Sequence, residues 1–266
     1  MNHCTVGVII PSYNQGMFLE DCIKSVIEQK SLNIKIVVMD GGSTDNSVDI
    51  IKKYQDNIFF WCSCKDEGQS AAINEGVRLL DDCKYICWLN SDDFYYKNGL
   101  TELVNFLEEN DRYVAAYSKA YFTDEAGNVI GEYPTHEYNR DYLAIRCYIC
   151  QPATLIKKEY WDKVGGVDAK LHMCMDYDLW CKLSQLGELG YLKKVTACSR
   201  EHGETKTTTN KKMHYMESYS LLKKYYGKIP NVWRKSRFLD LYYYYNKREK
   251  WYEKILYYLI DIKYKK

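Results

Sequence analysis

The stretch Tyr85-Ile86-Cys87-Trp88-Leu89-Asn90-Ser91-Asp92-Asp93 decides the fold and locates the candidate chemistry. Its first five residues are all apolar, which is typical of a buried strand in a parallel sheet. The acidic pair follows the carboxyl end of this strand, where open α/β sheets bind ligands. Side chains alternate along an extended segment, so Asp92 and Asp93 are expected to point in different directions. Carboxylate oxygens suit magnesium or manganese; the alternative is a solvated turn capped by an aspartate.

Three further apolar segments precede this strand, and a helical pattern separates each segment from the next. The predicted strands are 6–10, 34–39 and 58–62. This alternation predicts a doubly wound, mostly parallel α/β sheet with right-handed crossovers. Asn14 is expected to cap the first helix, and Ser43 or Thr44 the second. The strand ends would align Asp40, Asp66 and the Asp92-Asp93 pair along one rim, and helix capping alone explains that pair poorly.

The second half of the chain reads as shorter strands and one helix. The predicted strands are 113–117, 121–123, 129–133 (a hairpin partner), 151–156 and 191–197. Met175-Asp176-Tyr177-Asp178-Leu179-Trp180 opens a helix that ends at Gly187. The helix macrodipole favours negative charge in a first turn, which suffices to explain one of its two aspartates.

The charge is unevenly distributed along the chain. The formal net charge is +1, yet residues 211–266 hold 15 Lys and Arg against 5 Asp and Glu, together with 12 of the 27 tyrosines. A nucleic-acid-binding protein more often carries its basic charge on a folded reading surface, so no nucleic-acid partner is expected. Apolar residues recur at helical spacing from Phe238 to Ile262, which predicts a basic helix. It would pack on the main domain or a dimer partner, or lie on a membrane surface.

The cysteines and the N-terminus predict a cytoplasmic protein. If the basic segment 211–266 lies on a membrane, the protein would be at the inner face of the plasma membrane. The chain has 11 cysteines, an odd and scattered set typical of a reducing compartment. Cys147 and Cys150 have zinc or redox spacing, but no matching second pair completes a zinc site. The chain enters its first strand at once, which leaves no room for a signal peptide, and no apolar run approaches bilayer-spanning length.

Several motifs in this order resemble the family-2 inverting glycosyltransferases with the GT-A fold. They are Pro11-Ser12-Tyr13-Asn14, Val38-Met39-Asp40-Gly41-Gly42-Ser43-Thr44-Asp45, residues 66–76, Trp88-Leu89-Asn90-Ser91-Asp92-Asp93, Gln151-Pro152-Ala153-Thr154, Val164-Gly165-Gly166-Val167-Asp168 and residues 175–180. The resemblance covers about residues 4–210. It implies a GT-A domain over 1–210, with a nucleotide-sugar half (1–110) and an acceptor half (111–210), followed by a basic helical extension over 211–266.

The resemblance also implies roles for individual residues. Asp176 would be the catalytic base, and Asp93 and His202 would bind a divalent cation, manganese or magnesium. The nucleotide sugar would contact Pro11, Tyr13, Asn14, Asp40, Asp66, Gln69, Asp92 and Arg200. The sugar or acceptor pocket would include Trp88, Gln151 and Asp178.

The implied activity is transfer of a sugar from a nucleotide-diphosphate sugar, with a UDP-sugar favoured, to a glycan or lipid-linked hydroxyl in cell-surface polysaccharide synthesis. Two departures from the family pattern weaken the assignment of UDP. Gly41 stands where many members have a second acid, and Ile73 stands where many have an arginine. Two alternatives stay open, a non-catalytic nucleotide-sugar-binding module and a sugar nucleotidyltransferase. A nucleotidyltransferase would be expected to have a basic phosphate loop near the first strand, and residues 11–16 contain no Lys or Arg.

Overall fold

The computed structural model describes residues 6–203 and 210–233. Its strands are β1 Val6–Ser12, β2 Ile34–Asp40, β3 Phe60–Ser63, β4 Tyr85–Trp88, β5 Phe94–Tyr95, β6 Ala115–Thr123, β7 Val129–Glu132, β8 Thr154–Lys157 and β9 Leu189–Arg200. Its α-helices are α1 Gly16–Ile27, α2 Ser47–Lys53, α3 Gln69–Arg78, α4 Gly99–Glu109, α5 Arg140–Leu143, α6 Lys158–Val164, α7 Met175–Leu186 and α8 Lys211–Tyr226. Short 3₁₀ turns occupy Gln55–Asn57 and Gln151–Ala153.

These strands form one sheet in the order β3-β2-β1-β4-β8-β6-β9-β5, with β7 paired to β6. Strands β1 to β4 are mutually parallel, β6 and β9 run in the same direction, and β5, β7 and β8 run against them. The predicted mostly parallel α/β sheet is therefore confirmed. The prediction of separate strands at 113–117 and 121–123 is wrong. Residues 118–120 continue β6 and pair with β9, with the register shifting there.

Helices cover both faces of the sheet, because successive strand residues point to opposite sides. In β1, Ile9 joins one buried cluster with residues of α3, α6, α7 and α8. Its neighbours Val8 and Ile10 join the other cluster, with residues of α1, α2 and α4. Burial on both faces explains the uninterrupted apolar strands in the sequence and confirms the doubly wound arrangement.

The predicted helix caps are wrong in detail, because a carboxylate from another segment takes their place. Neither Asn14 nor Ser43 nor Thr44 is an N-cap; the residues preceding α1 and α2 are Gln15 and Asn46. Asp45 accepts the Gly16 N–H at 2.9 Å and the Ser47 N–H at 3.0 Å. One side chain therefore stabilises the first turns of both helices, and it fastens the β1–α1 turn to the β2–α2 turn.

Helix α8 packs on the main body of the protein. Leu221 and Leu222 are buried in the same cluster as α7. Helix α8 therefore shares this core, and the predicted domain boundary between residues 210 and 211 stays a prediction. The predicted tail helix from Phe238 to Ile262 lies outside the described residues. Within residues 6–203 and 210–233, no helix combines the length and apolarity needed to cross a bilayer.

Candidate active site

A cavity of about 820 Å³ opens at the carboxyl ends of β1 and β4. Loops after β2 and β3 and the start of α7 complete its wall. Most of the predicted site residues line it: Pro11, Tyr13, Asp66, Gln69, Trp88, Asp92, Asp93, Gln151, Asp176 and Arg200. Residues far apart in the sequence thus converge on one pocket.

The two adjacent aspartates form an acidic corner of this cavity. Asp93 is buried, and its carboxylate accepts the backbone N–H of Arg200 at 3.0 Å and the Asn90 side-chain amide at 3.2 Å. Burial, and then the neighbouring charge of Asp92, raise the pKa of Asp93 well above its usual range. His202 lies against the other carboxylate, with its Nε2 3.0 Å from Asp92 Oδ2. The structure therefore pairs His202 with Asp92, and its predicted role as a metal ligand together with Asp93 stays a prediction.

This corner fits a divalent cation that arrives with a phosphate ligand. Two carboxylates held side by side at a buried cavity edge are a hard-oxygen donor set, and a cation would offset their mutual repulsion. Among the described residues, no group of three or more His, Cys, Asp and Glu side chains is arranged to hold a metal without other ligands. Magnesium commonly binds through one or two carboxylates plus substrate phosphates and water. The donor set matches that mode of binding.

The guanidinium of Arg200 is engaged on the α1 side of the corner. It lies between the rings of Phe18 and Phe94, 4.7 and 5.2 Å from their centroids. Its Nη2 lies 3.2 Å from a carboxylate oxygen of Asp21, and its Nη1 donates to the Glu125 carbonyl at 3.2 Å. The backbone N–H of Arg200, not its charge, contacts Asp93. A diphosphate contact by this guanidinium stays a prediction.

An amide network centred on Asn90 supports the acidic corner. Besides donating to Asp93, the Asn90 amide donates to Gln151 Oε1 at 3.2 Å and accepts from Gln69 Nε2 at 2.7 Å. Gln151 in turn donates to the Trp88 carbonyl at 2.7 Å. Asn90 therefore links three predicted site residues, although no role was predicted for Asn90 itself.

Two residues predicted to contact the nucleotide do not line the cavity. Asp40 is buried and accepts the backbone N–H of Ser43 at 2.8 Å and the Ser63 hydroxyl at 2.6 Å. Asn14 Oδ1 accepts the Thr44 N–H at 2.8 Å. Both side chains fix the loop after β2. The structure corrects their placement, and direct contact with a nucleotide stays a prediction.

The candidate base Asp176 faces the same cavity from the first turn of α7. Its Oδ1 accepts the N–H of Tyr177 at 2.7 Å, and burial raises its pKa to about 6. The buried Cys150 lines this cavity together with Asp93 and Asp176. Asp93 and Asp176 therefore lie around one pocket, about 80 residues apart in the chain.

Asp178 is wrongly placed in the predicted sugar or acceptor pocket. Its side chain is fully buried under α8 and pairs with Lys182 at 2.8 Å and Lys224 at 3.1 Å. It also accepts the Tyr225 hydroxyl at 2.6 Å. Asp176 and Asp178 are two positions apart on a helix, so they point to different sides. One faces the cavity and the other fastens α8 to α7.

We expect Asp178→Ala to destabilise the protein by about 1–3 kcal/mol, because Tyr225 and Lys182 would lose a buried partner. Thermal and urea unfolding measure this change, with Asp81→Ala, at a side chain that is 87% exposed, as the control. Donor binding should persist in the folded fraction. If Asp178→Ala keeps its stability but loses donor binding, Asp178 belongs to the donor pocket and not to the contact between α7 and α8.

Comparison with known proteins identifies the family. Residues 7–164 match the family described as Glycosyl transferase family 2. The chain belongs to glycosyltransferase family 2. The prediction of an enzyme of this family is thereby confirmed, and the two alternatives, a non-catalytic module and a nucleotidyltransferase, are set aside.

Relatives of this family-2 glycosyltransferase agree over most of its length. A protein of Rickettsia typhi named as an uncharacterized glycosyltransferase is 29% identical over 230 residues, which cover 82% of this chain and 70% of the relative. Chondroitin synthase of Escherichia coli is 28% identical over 242 residues, 85% of this chain and 35% of that protein. The chain thus spans about a third of the chondroitin synthase.

Solved structures confirm the GT-A fold. S. aureus TarS 1–349 in complex with UDP-GlcNAc superposes with a TM-score of 0.66 at 15% identity, covering 82% of this chain and 65% of that one. The mannosyltransferase PcManGT of Pyrobaculum calidifontis, in complex with GDP-Man and Mn²⁺, gives 0.62 at 16% identity, with 88% and 69% covered. At these identities the likeness establishes the fold of the glycosyltransferase.

Several cavity residues of the glycosyltransferase were missed in the sequence. They are Lys65, Phe122, Tyr133, His172 and Met173. Phe122 and Tyr133 flank the β6–β7 hairpin, and His172 and Met173 precede α7. No periodicity or motif distinguishes them, because only the folding of the hairpin and the loop against the sheet brings them to the pocket.

Proposed function

We propose that this enzyme transfers a sugar with inversion from a nucleoside-diphosphate sugar to a hydroxyl group of a growing polysaccharide or lipid-linked glycan. The observation that carries the proposal is that Asp93 and Asp176 line the same cavity from different elements. Inversion in one displacement requires the leaving group and the attacking hydroxyl on opposite sides of the anomeric carbon. Two separated carboxylates around one pocket suit this geometry, because one can act on the leaving-group side and the other on the attacking hydroxyl.

Asp176 takes the proton of the acceptor hydroxyl as it attacks. Its pKa, raised to about 6 by burial, makes it a better base than an ordinary aspartate while leaving it deprotonated at neutral pH. The first turn of α7 holds the carboxylate at the cavity wall. The proton therefore moves from the acceptor oxygen to an oxygen of Asp176.

A magnesium or manganese ion would be held by Asp93, with Asp92 and His202 beside it. When bound, such an ion neutralises charge that develops on the leaving diphosphate. The Arg200 N–H and the Asn90 amide orient the Asp93 carboxylate, and the amide chain through Gln151 keeps Asn90 in place. The nucleotide would lie along Pro11, Tyr13 and Asp66, at the end of the cavity formed by β1 and β3.

The comparisons support a nucleoside-diphosphate sugar as the donor class. The S. aureus neighbour holds UDP-GlcNAc and the Pyrobaculum neighbour holds GDP-Man with Mn²⁺, so both contain a nucleoside-diphosphate sugar. The Escherichia coli relative is a chondroitin synthase. We propose a UDP-sugar as donor and a polysaccharide chain as acceptor class. A cytoplasmic location, contact of the tail with the membrane, and a homodimer stay predictions.

A thermal-shift screen of UDP- and GDP-sugars, with and without Mn²⁺ or Mg²⁺, tests the donor assignment. Binding to the folded state raises the unfolding temperature, so a donor should stabilise the protein more with metal than without it. Proton NMR of the product formed from that donor then gives the anomeric configuration. Retention at the anomeric carbon would contradict the proposal.

We expect the turnover rate to rise with pH through about 6 and then to level off. The base must be deprotonated to accept a proton, and burial raises the Asp176 pKa to about 6, so activity is lost as pH falls below that value. The measurement is kcat at saturating donor from pH 4.5 to 8. An acidic limb near pH 4 would show that the base is an unperturbed carboxylate and not Asp176 in this environment.

A further inference from the structure

Glu217 of α8 binds the loop that carries the candidate base. Its Oε1 accepts the N–H of His172 at 2.9 Å, and its Oε2 accepts the N–H groups of Met173 and Cys174, each at 2.9 Å. Three successive backbone donors thus converge on one carboxylate that lies 43–45 residues away in the sequence. The acceptor is a charged group, and charged acceptors make the stronger hydrogen bonds.

This loop forms the cavity wall next to the reacting groups. His172, Met173, Met175 and Asp176 line the cavity in succession. Cys174, at the N-cap position of α7, makes no side-chain capping bond, and Glu217 accepts its N–H and those of the two residues before it. The position of this first turn sets the direction of the Asp176 carboxylate.

Other contacts hold α8 in place without Glu217. Lys224 and Tyr225 bond to Asp178, Ser218 Oγ lies 3.3 Å from the thiol of Cys174, and Leu222 is fully buried. Of these contacts, those of Lys224, Tyr225 and Leu222 hold the helix without touching residues 172–174. This separation permits an experiment that tells docking of the helix from ordering of the loop.

We propose that Glu217 is a positioning residue for glycosyl transfer: it fixes residues 172–174 and thereby aims Asp176 at the acceptor hydroxyl. The inference rests on the proposed function, in which Asp176 is the base. Helix α8 thus completes the active site of the GT-A domain from outside the 7–164 segment that matches the family. Positioning of this kind affects the rate, since a misplacement of about 1 Å can cost on the order of 100-fold.

The charge of Glu217 also acts on the base. Burial and then Glu217 raise the pKa of Asp176, whereas the N–H groups of Tyr177 and of Asp176 itself lower it. Among the described residues, Tyr133, Cys147, Cys150 and Cys174 also interact with Asp176, and burial raises the pKa of each, so they stay neutral at pH 7. Removing the Glu217 charge should therefore move the acidic limb of the rate profile to lower pH.

The test compares Glu217→Gln with Lys224→Ala, which removes a docking contact and leaves the loop bonds intact. Glutamine offers one oxygen and an NH₂ group, so it cannot accept from all three donors. We expect hydrogen–deuterium exchange in residues 171–178 to rise about tenfold in Glu217→Gln, with residues 6–110 unchanged. With the nucleotide sugar that stabilises the wild type most in the thermal-shift screen, kcat should fall about 10- to 100-fold. UDP–Mn²⁺ affinity should not change, and the acidic limb should shift down.

Lys224→Ala should lose thermal stability without any shift of the acidic limb. The inference is overturned if Glu217→Gln keeps wild-type exchange and pH profile. It is also overturned if both variants lose rate only in proportion to their loss of stability, which would make Glu217 a structural residue. The proposed function fails separately, if Asp176→Asn itself keeps turnover. If Asp176→Asn is inactive and Glu217→Gln has normal kinetics, the inference about Glu217 is wrong and the proposed function stands.

Discussion

Asp176→Asn is expected to lower the transfer rate by about 10²–10⁴-fold while leaving donor binding unchanged, because an amide cannot accept the acceptor's proton. The measurement is single-turnover transfer with saturating nucleotide sugar, alongside calorimetric affinity for the nucleotide with Mn²⁺. The effect should appear in kcat, since Asp176 lies at the α7 side of the cavity and the nucleotide is expected along β1 and β3.

Unfolding is not expected to account for this loss. Burial raises the folded-state pKa of Asp176, so its charged form costs stability above the ordinary pKa of a carboxyl, and that cost is relieved as pH falls through about 6. A neutral Asn should therefore keep or raise the unfolding temperature at pH 7. Asp81→Asn, at a side chain that is 87% exposed, is the matched control. Near-wild-type turnover by Asp176→Asn would remove this residue from the role of base.

Asp93→Ala is expected to abolish the part of nucleotide affinity that depends on metal. Loss of an outer-sphere partner typically costs about 10–100-fold in metal affinity, so loss of a direct ligand should cost at least about 100-fold. Calorimetry with UDP, with and without Mn²⁺, measures the difference. Affinity without metal should stay near the wild-type value, since Tyr13 and Asp66 line a different part of the cavity.

The matched control is Asp81→Ala, which removes a carboxylate whose side chain is 87% exposed. It should leave both affinities unchanged. If Mn²⁺ raises the UDP affinity of Asp93→Ala as much as it raises that of the wild type, Asp93 is not the metal ligand.

The row of acidic residues at the carboxyl ends of the strands could be predicted, because it depends on a general property of parallel sheets. Buried parallel strands leave continuous apolar runs, and their carboxyl ends must lie at one edge of the sheet. The stretch from Tyr85 to Asp93 therefore indicated both the strand and the chemistry at its end. The hydrogen-bond partners of the side chains at that edge could not be predicted, because several donors and acceptors in the sequence could reach each of them. His202 on Asp92 and Asp45 across two helix starts are examples.

Asp176 and Asp178 show a limit of motif reading. Both stand in the first turn of α7, and the macrodipole favours both equally. Only the packing of α8 decides between them, since it buries Asp178 against Lys224 and Tyr225 and leaves Asp176 on the cavity. The role of Glu217 could not be predicted from the sequence. Its partners are backbone N–H groups, which every residue except proline has, so no residue pattern marks them.

The most direct test is a crystal structure of the protein with Mn²⁺ and a non-hydrolysable analogue of the donor that the screen identifies. The account predicts the metal and diphosphate at Asp93, with the Asp176 carboxylate on the opposite side of the sugar ring, facing the anomeric carbon. A diphosphate bound elsewhere, or Asp176 turned away from the sugar, would contradict it.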